Sequence, residues 1–319
     1  ALVFIIYYGT TTDFVLGGVL NAEKISGMEE LLKFVFLLAF VGFGTKAAVF
    51  PMYAWLPAAS VAPTPVTALL HAVAVVNAGA YAVLRVIYYS FGASFLYGTW
   101  AQTVALLLSC FTILFGSTMA VREQHFKRRL AYSTISNLSY MLMGAALMTP
   151  DGMTGSLSHL VIHGVIKITL FYCAGAILIK TGKEYVQDLR GYSRIMPATC
   201  SIFLLGSIAL VGTPPLAGFV SKWNLLTAAS ATGLPMGTVA IVCLIISAIL
   251  TAIYLFTAAL PMYFRPLNAD QAQLAGQKLD PSWMMLLPMG ILCALMIGLG
   301  LWSQPLVTFL RNIAAGVIF

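Results

Sequence analysis

The chain has 319 residues, 60% of them hydrophobic and only 8% charged, with a mean hydropathy of +0.93. A soluble domain carries about 25% charged residues, so this composition excludes a water-soluble globule. The net charge of +7 does not point to nucleic acid, because the cations sit in connecting loops, with a few isolated inside apolar runs.

Residues 1–8 (ALVFIIYY) would span only ~12 Å as a helix, against a hydrocarbon core of ~30 Å. No initiator Met precedes them. The expectation is therefore the end of a helix whose predecessors are missing, followed by a loop over residues 9–30. No signal peptide is evident, since an n-region and a cleavage site are both lacking.

Seven or eight apolar spans follow, near residues 31–58, 64–90, 100–121, 129–149, 153–180, 196–230, 236–262 and 283–305. Two are interrupted. Pro51, Pro57, Pro63 and Pro65 surround residues 52–62, and Gly212-Thr213-Pro214-Pro215 breaks the sixth span. Proline removes a backbone donor and clashes with the preceding turn. Broken helices at membrane depth survive only where protein or a wet cavity satisfies the freed groups, and paired broken helices are a transporter pattern.

Fourteen of the 17 Lys and Arg lie outside the spans' interiors. Arg122, Lys127, Arg128, Arg129, Lys180, Lys183, Arg190, Arg194, Arg265 and Lys278 fall on one side; Lys24, Lys33 and Arg85 fall on the other, and Arg311 lies in the tail. Positive charge concentrates in cytoplasmic loops. The loops at 121–129, 180–195 and 262–282 are accordingly expected to be cytoplasmic.

The remaining lysines, Lys46, Lys167 and Lys222, lie inside apolar segments, as do His71, His159 and His163. His125 belongs to the basic loop and is expected simply to be solvated. An intramembrane charge costs several kcal/mol, so three such lysines are hard to explain as decoration. His159, His163 and Lys167 recur at i, i+4 and i+8, which places them on one helix face over ~12 Å. A stripe of titratable groups along one transmembrane face suits a proton relay, because histidine titrates near neutral pH. The ten carboxylates are Asp13, Glu23, Glu29, Glu30, Glu123, Asp151, Glu184, Asp188, Asp270 and Asp280, none central in a span. The buried lysines are thus expected to lack a counter-ion within this chain.

Cys110, Cys173, Cys200, Cys243 and Cys293 all lie in or beside apolar runs without a CxxC pair, so they read as small buried hydrophobes. No metal site and no cofactor on this chain is expected. A b-type cytochrome with His71 and His159 or His163 as axial ligands is the reading from a different class; a haem protein would not need three buried lysines.

The stretch FGTKAAVFPMYAWLPAASVAPTPVTALLHAVAVVNAGAYAVLR (43–85) resembles the antiporter-like subunits of complex I, of Mrp cation/proton antiporters and of energy-converting hydrogenase membrane arms. KRRLAYSTISNLSYM (127–141), SHLVIHGVIKITLFYCAGAI (158–177) and TPPLAGFVSKWNLL (213–226) continue the resemblance in the family's order over most of the chain. The resemblance implies an all-α polytopic membrane bundle of fourteen core helices with inverted repeats, of which residues 1–319 would form one transmembrane domain lacking the N-terminal helices. The interrupted spans would be the discontinuous seventh and twelfth helices. It further implies that Lys46, His71, His159, His163, Lys167 and Lys222 are the proton relay, with Lys46 at intake, the eleventh-helix stripe and His71 central, and Lys222 at exit. The family's fifth-helix glutamate, partner of the seventh-helix lysine, and the long lateral C-terminal helix of one member have no counterpart here.

Three expectations about context accompany that reading. The chain would be a proton (or Na+) translocating subunit of a redox-driven pump in a bacterial or archaeal plasma membrane, with other membrane subunits as partners. Any redox chemistry would take place in those partners. The alternative within the family is an Mrp-type cation/proton antiporter subunit working without redox input.

Overall fold

The computed structural model describes residues 7–9, 14, 16–233, 235–268, 274 and 276–316. Of the expected helix end at 1–8, only Tyr7 and Tyr8 fall among them, and both are helical. The architecture is an all-α bundle: α1 Glu29–Lys46, α2 Trp55–Ala59, α3 Thr64–Ala72, α4 Val75–Arg85, α5 Trp100–Arg122, α6 Phe126–Ala146, α7 Pro150–Thr181, α8 Pro197–Val211, α9 Ala217–Ala231, α10 Pro235–Phe264, α11 Trp283–Leu301 and α12 Gln304–Ala314.

Among the described residues, five helical stretches are long and apolar enough to cross a membrane by themselves: Thr64–Phe91, Trp100–Arg122, Pro150–Thr181, Pro235–Phe264 and Trp283–Leu301. The other expected spans take a different physical form. In α6, every residue except Arg128 is buried, so its surroundings are protein and its Ser, Thr, Asn and Tyr side chains need no lipid compatibility. The sixth span is split into α8 and α9, each 15 residues long.

The hub is α7, which packs against α3, α6, α8, α9, α11 and α12. Thr149 caps its start, accepting from Gly152 N at 3.1 Å, with Pro150 at the first helical position. That combination satisfies one orphan donor and removes another. The helix stops at Gly182, whose φ of +67° is the left-handed conformation that terminates helices.

Both expected breaks are present, and each has its own chemistry. After Lys46 the chain leaves helical geometry through Ala48, at φ +60°. The freed carbonyl of Thr45 accepts from the Trp55 indole Nε1 at 2.9 Å. The backbone of α4 comes in close: a Cβ at Gly79 would sit 2.6 Å from Ala47 N. At the second break, α8 ends at Gly212 with φ +95°, and α9 approaches so tightly that a Cβ at Gly218 would lie 1.7 Å from the Ala209 oxygen.

A third irregularity was not expected. The span at 64–90 shifts register just after His71, where Val73 N and Ala74 N both donate to Leu69 O, at 3.1 and 3.0 Å. The surplus carbonyl of Ala72 accepts from Asn77 Nδ2 at 2.8 Å. Such one-residue bulges are frequent at functional sites. Neither Pro nor Gly marks this one. The last expected span also ends sooner than 305, at Leu301, and α12 follows as a separate amphipathic helix burying Val307, Leu310 and Ala314.

The three basic loops are joined at one end of the bundle. Phe126 N donates to Glu184 O at 2.7 Å and Val186 N to Gln124 O at 2.9 Å, zipping 121–129 to 180–195. Asp280 of the third loop accepts from Ala198 N, Thr199 N and Thr199 Oγ1 at the start of α8. His125 is not simply solvated. Its Nε2 lies 3.4 Å from Glu184 Oε2 and its ring packs against Tyr185, because the strand-like pairing of the two loops brings these side chains together.

Candidate functional site

Five of the six singled-out residues converge in the interior. His71, His163 and Lys167 are fully buried and His159 is 2% exposed, while Lys222 is half-buried. His71, His159, Lys167 and Lys222 all lie within electrostatic range of His163. The i, i+4, i+8 stripe on α7 supplies three of them. The bulge in α3–α4 delivers His71, and the restart of α9 after its break delivers Lys222. Gly164 permits the first approach, since a Cβ there would lie 3.0 Å from the Ala72 oxygen.

Lys46 stands apart. It is the last residue of α1 and is exposed on this chain's surface. Among the described residues no carboxylate lies within ion-pair distance of Lys46, Lys167 or Lys222.

Neutral acceptors take the place of counter-ions. Lys167 Nζ donates to Leu130 O at 3.0 Å and to Ser133 Oγ. Lys222 Nζ donates to Leu210 O at 2.7 Å and Val211 O at 2.9 Å. Those two carbonyls end α8, where the helix dipole places partial negative charge. The ammonium also lies over the Tyr140 ring, 5.4 Å from its centroid.

Two of the histidines stack on each other, and each of the three leaves at least one ring nitrogen unpaired among the described residues. The His159 and His163 rings stack with centroids 5.8 Å apart, and His71 stacks on Phe171 at 4.8 Å. His159 Nδ1 hydrogen-bonds Ser221 Oγ at 2.9 Å, and Ser221 Oγ also reaches Gly218 O at 3.2 Å. A hydroxyl has one proton. When that proton goes to Gly218 O, His159 Nδ1 carries hydrogen and Nε2 is a free acceptor. His159 Nε2 and both nitrogens of His71 and His163 have no hydrogen-bond partner among the described residues. Buried polar atoms are ordinarily paired, with protein or ordered water, and five ring nitrogens in one cluster depart from that rule.

Among the described residues no group of three or more His, Cys, Asp or Glu gathers as a metal site.

Sequence reasoning missed Ser221, Ser133, Asn77 and Tyr140, which complete the site. All are uncharged, and only their neighbours give a cue: Ser221 precedes Lys222, and Ser133 and Tyr140 lie seven apart on the α6 face that meets the stripe.

Fold and site together define an integral membrane helix bundle with interrupted helices and a buried lysine–histidine cluster. The family described as "NADH:quinone oxidoreductase/Mrp antiporter, TM" matches residues 2–251, and the chain belongs to that family. It is 32% identical over 289 residues to NADH-quinone oxidoreductase subunit N of Desulforudis audaxviator, covering 87% of this chain and 56% of that protein. It is 35% identical over 235 residues to F(420)H(2) dehydrogenase subunit L of Methanosarcina mazei, covering 70% of this chain and 34% of that one. The solved Mrp complex from Dietzia sp. DQ12-45-1b contains a chain with the same fold, at a TM-score of 0.77 and 23% identity, covering 93% of this chain and 60% of that one. The chain thus spans about half, or less, of the length of these curated relatives.

Proposed function

We infer that this chain carries protons across the membrane as a subunit of a redox-driven pump, through Lys46, the cluster of His71, His159, His163 and Lys167, and Lys222. The observation that carries the reading is the buried cluster with five imidazole nitrogens that have no partner among the described residues. A structural core would fill or pair them, whereas a relay needs nitrogens that exchange protons with water. Lys167, with two N–H groups held by Leu130 O and Ser133 Oγ, keeps its third for such a water. At the exit, Lys222 passes its proton on from the carbonyl end of α8.

A proton arriving at one group repels protons on the others through the low-dielectric interior, which couples successive steps. The redox-driven reading is favoured over a stand-alone cation/proton antiporter by the names of the relatives above 30% identity, a quinone oxidoreductase subunit and a dehydrogenase subunit. Electron transfer then belongs to partner subunits, and the three joined basic loops face the cytoplasm of a bacterial or archaeal cell by their charge.

The test is proton uptake by inverted vesicles carrying the complete complex, energised by its electron donor, comparing wild type with Lys167→Ala. Loss of pumping with assembly preserved is the expected result. Undiminished pumping overturns the assignment. Proton movement driven by an imposed Na+ gradient without donor would instead establish the antiporter reading.

A further inference from the structure

The exit end of the cluster contains a residue with no assigned part. Tyr140, on α6, is fully buried and makes three contacts of different kinds. Its ring meets the His159 ring edge-on at 5.4 Å. The face of the same ring receives the Lys222 ammonium at 5.4 Å. Its hydroxyl donates to Ser247 Oγ at 2.8 Å.

Ser247 belongs to a closed group of hydroxyls. Ser117 Oγ lies 2.5 Å from Ser247 Oγ and 2.7 Å from Ser136 Oγ, and Ser136 Oγ lies 3.2 Å from Ser247 Oγ. The three serines come from α10, α5 and α6, and all are fully buried. A Cβ at Gly116 would lie 2.9 Å from Ser136 N, so the glycine beside Ser117 is what brings α5 and α6 close enough to form the group. Buried hydroxyls that satisfy one another rigidify the place where they sit.

The Lys222 ammonium has three N–H groups. Two go to Leu210 O and Val211 O, and the ammonium as a whole lies within cation–π range of the Tyr140 face. The same ring touches the neighbouring carrier, His159.

We propose that Tyr140, anchored by Ser117, Ser136 and Ser247, is a positioning residue for the exit step: its ring holds the Lys222 ammonium beside His159. The proposal rests on the relay reading above. The ring supplies cation–π attraction, which strengthens where water is excluded. The hydroxyl's part is to lock the ring, since geometry held by surrounding bonds is what makes a site reproducible. Tyr140 neither gains nor loses a proton in the step.

The experiment uses the complete complex in inverted vesicles, reading proton translocation rate, donor oxidation rate and assembly on native gels. Tyr140→Met keeps an apolar side chain and removes the π face; translocation should fall roughly tenfold with assembly unchanged. Tyr140→Phe keeps the face but loses the hydroxyl anchor, so its rate should lie between those of wild type and the Met variant. Translocation at the wild-type rate in Tyr140→Met, or an equal fall in Tyr140→Phe, overturns the proposal. If Tyr140→Met does not assemble, Ser247→Ala frees the ring from its anchor. A fall in that variant that Ser247→Thr restores supports the proposal, and a wild-type rate overturns it. Lys167→Ala and Lys222→Ala in the same preparations separate the two claims. If they pump normally, the relay itself has failed; if they are inactive while Tyr140→Met is not, only the positioning role is lost.

Discussion

Lys167 sits fully buried with two neutral acceptors and, among the described residues, no carboxylate within ion-pair distance. Removing a charge from water costs several kcal/mol even after relaxation, and two neutral acceptors repay only part of that. Lys167→Met replaces the ammonium with an apolar group of similar length, so it is expected to leave stability unchanged or raise it by up to ~2 kcal/mol. Translocation should be abolished. Thermal unfolding of the purified complex beside a pumping assay checks both. A destabilised Met variant would mean that Lys167 is held for structure. Ser133→Ala removes one of the two acceptors, a bond to a charged group worth about 1.5–3 kcal/mol. The ammonium then swings toward Leu130 O alone, and pumping should slow several-fold with assembly intact.

At the level of the helix, the two breaks show how far the sequence could be read. Pro51 and the Gly212-Thr213-Pro214-Pro215 run announced them, because proline and a glycine at positive φ leave local marks. What the breaks do could not be read that way. The carbonyls freed at the end of α8 are capped by the side chain of Lys222, eleven and twelve residues further on, and that pairing exists only once α9 folds back. The bulge beside His71 left no mark at all, since it is stabilised by Asn77 Nδ2 and by the backbone approach of Gly164. The period of four in His159, His163 and Lys167 was legible because one helix contains it. The contributions of Ser133, Tyr140 and Ser221 were not, because uncharged side chains become part of a site only through tertiary contact. A prediction follows for the α8–α9 break. A Cβ at Gly218 would lie 1.7 Å from the Ala209 oxygen, a contact with backbone that no rotamer relieves. Gly218→Ala should therefore cost about 1–3 kcal/mol or more and push α9 outward, carrying Lys222 off its carbonyls. Reduced thermal stability together with reduced pumping is the expected result. Full activity would show that the lysine's seat is not set by this approach.

Over the molecule as a whole, Lys46 poses the remaining physical question. It is exposed, and the surface around it is apolar: Leu38 is 57% exposed, Phe43 39% and Met52 51%. On α1, Leu31, Phe34 and Leu38 form an outward stripe, while Leu32, Val35, Phe36, Ala39 and Phe40 face the core. A cation among such residues is costly against lipid, and among the described residues nothing of opposite charge reaches it. Polypeptide covering this face with an acidic group would resolve both problems at once. The covering requires that Lys46 be protected in the assembled complex and reactive in this chain purified alone in detergent. Acetic anhydride labelling read by mass spectrometry distinguishes the two states, with Lys167 as the buried reference that remains unmodified in both. Equal labelling of Lys46 in both would place it at the water interface, where its long side chain reaches solvent. The intake of the proton path would then have to start at another group.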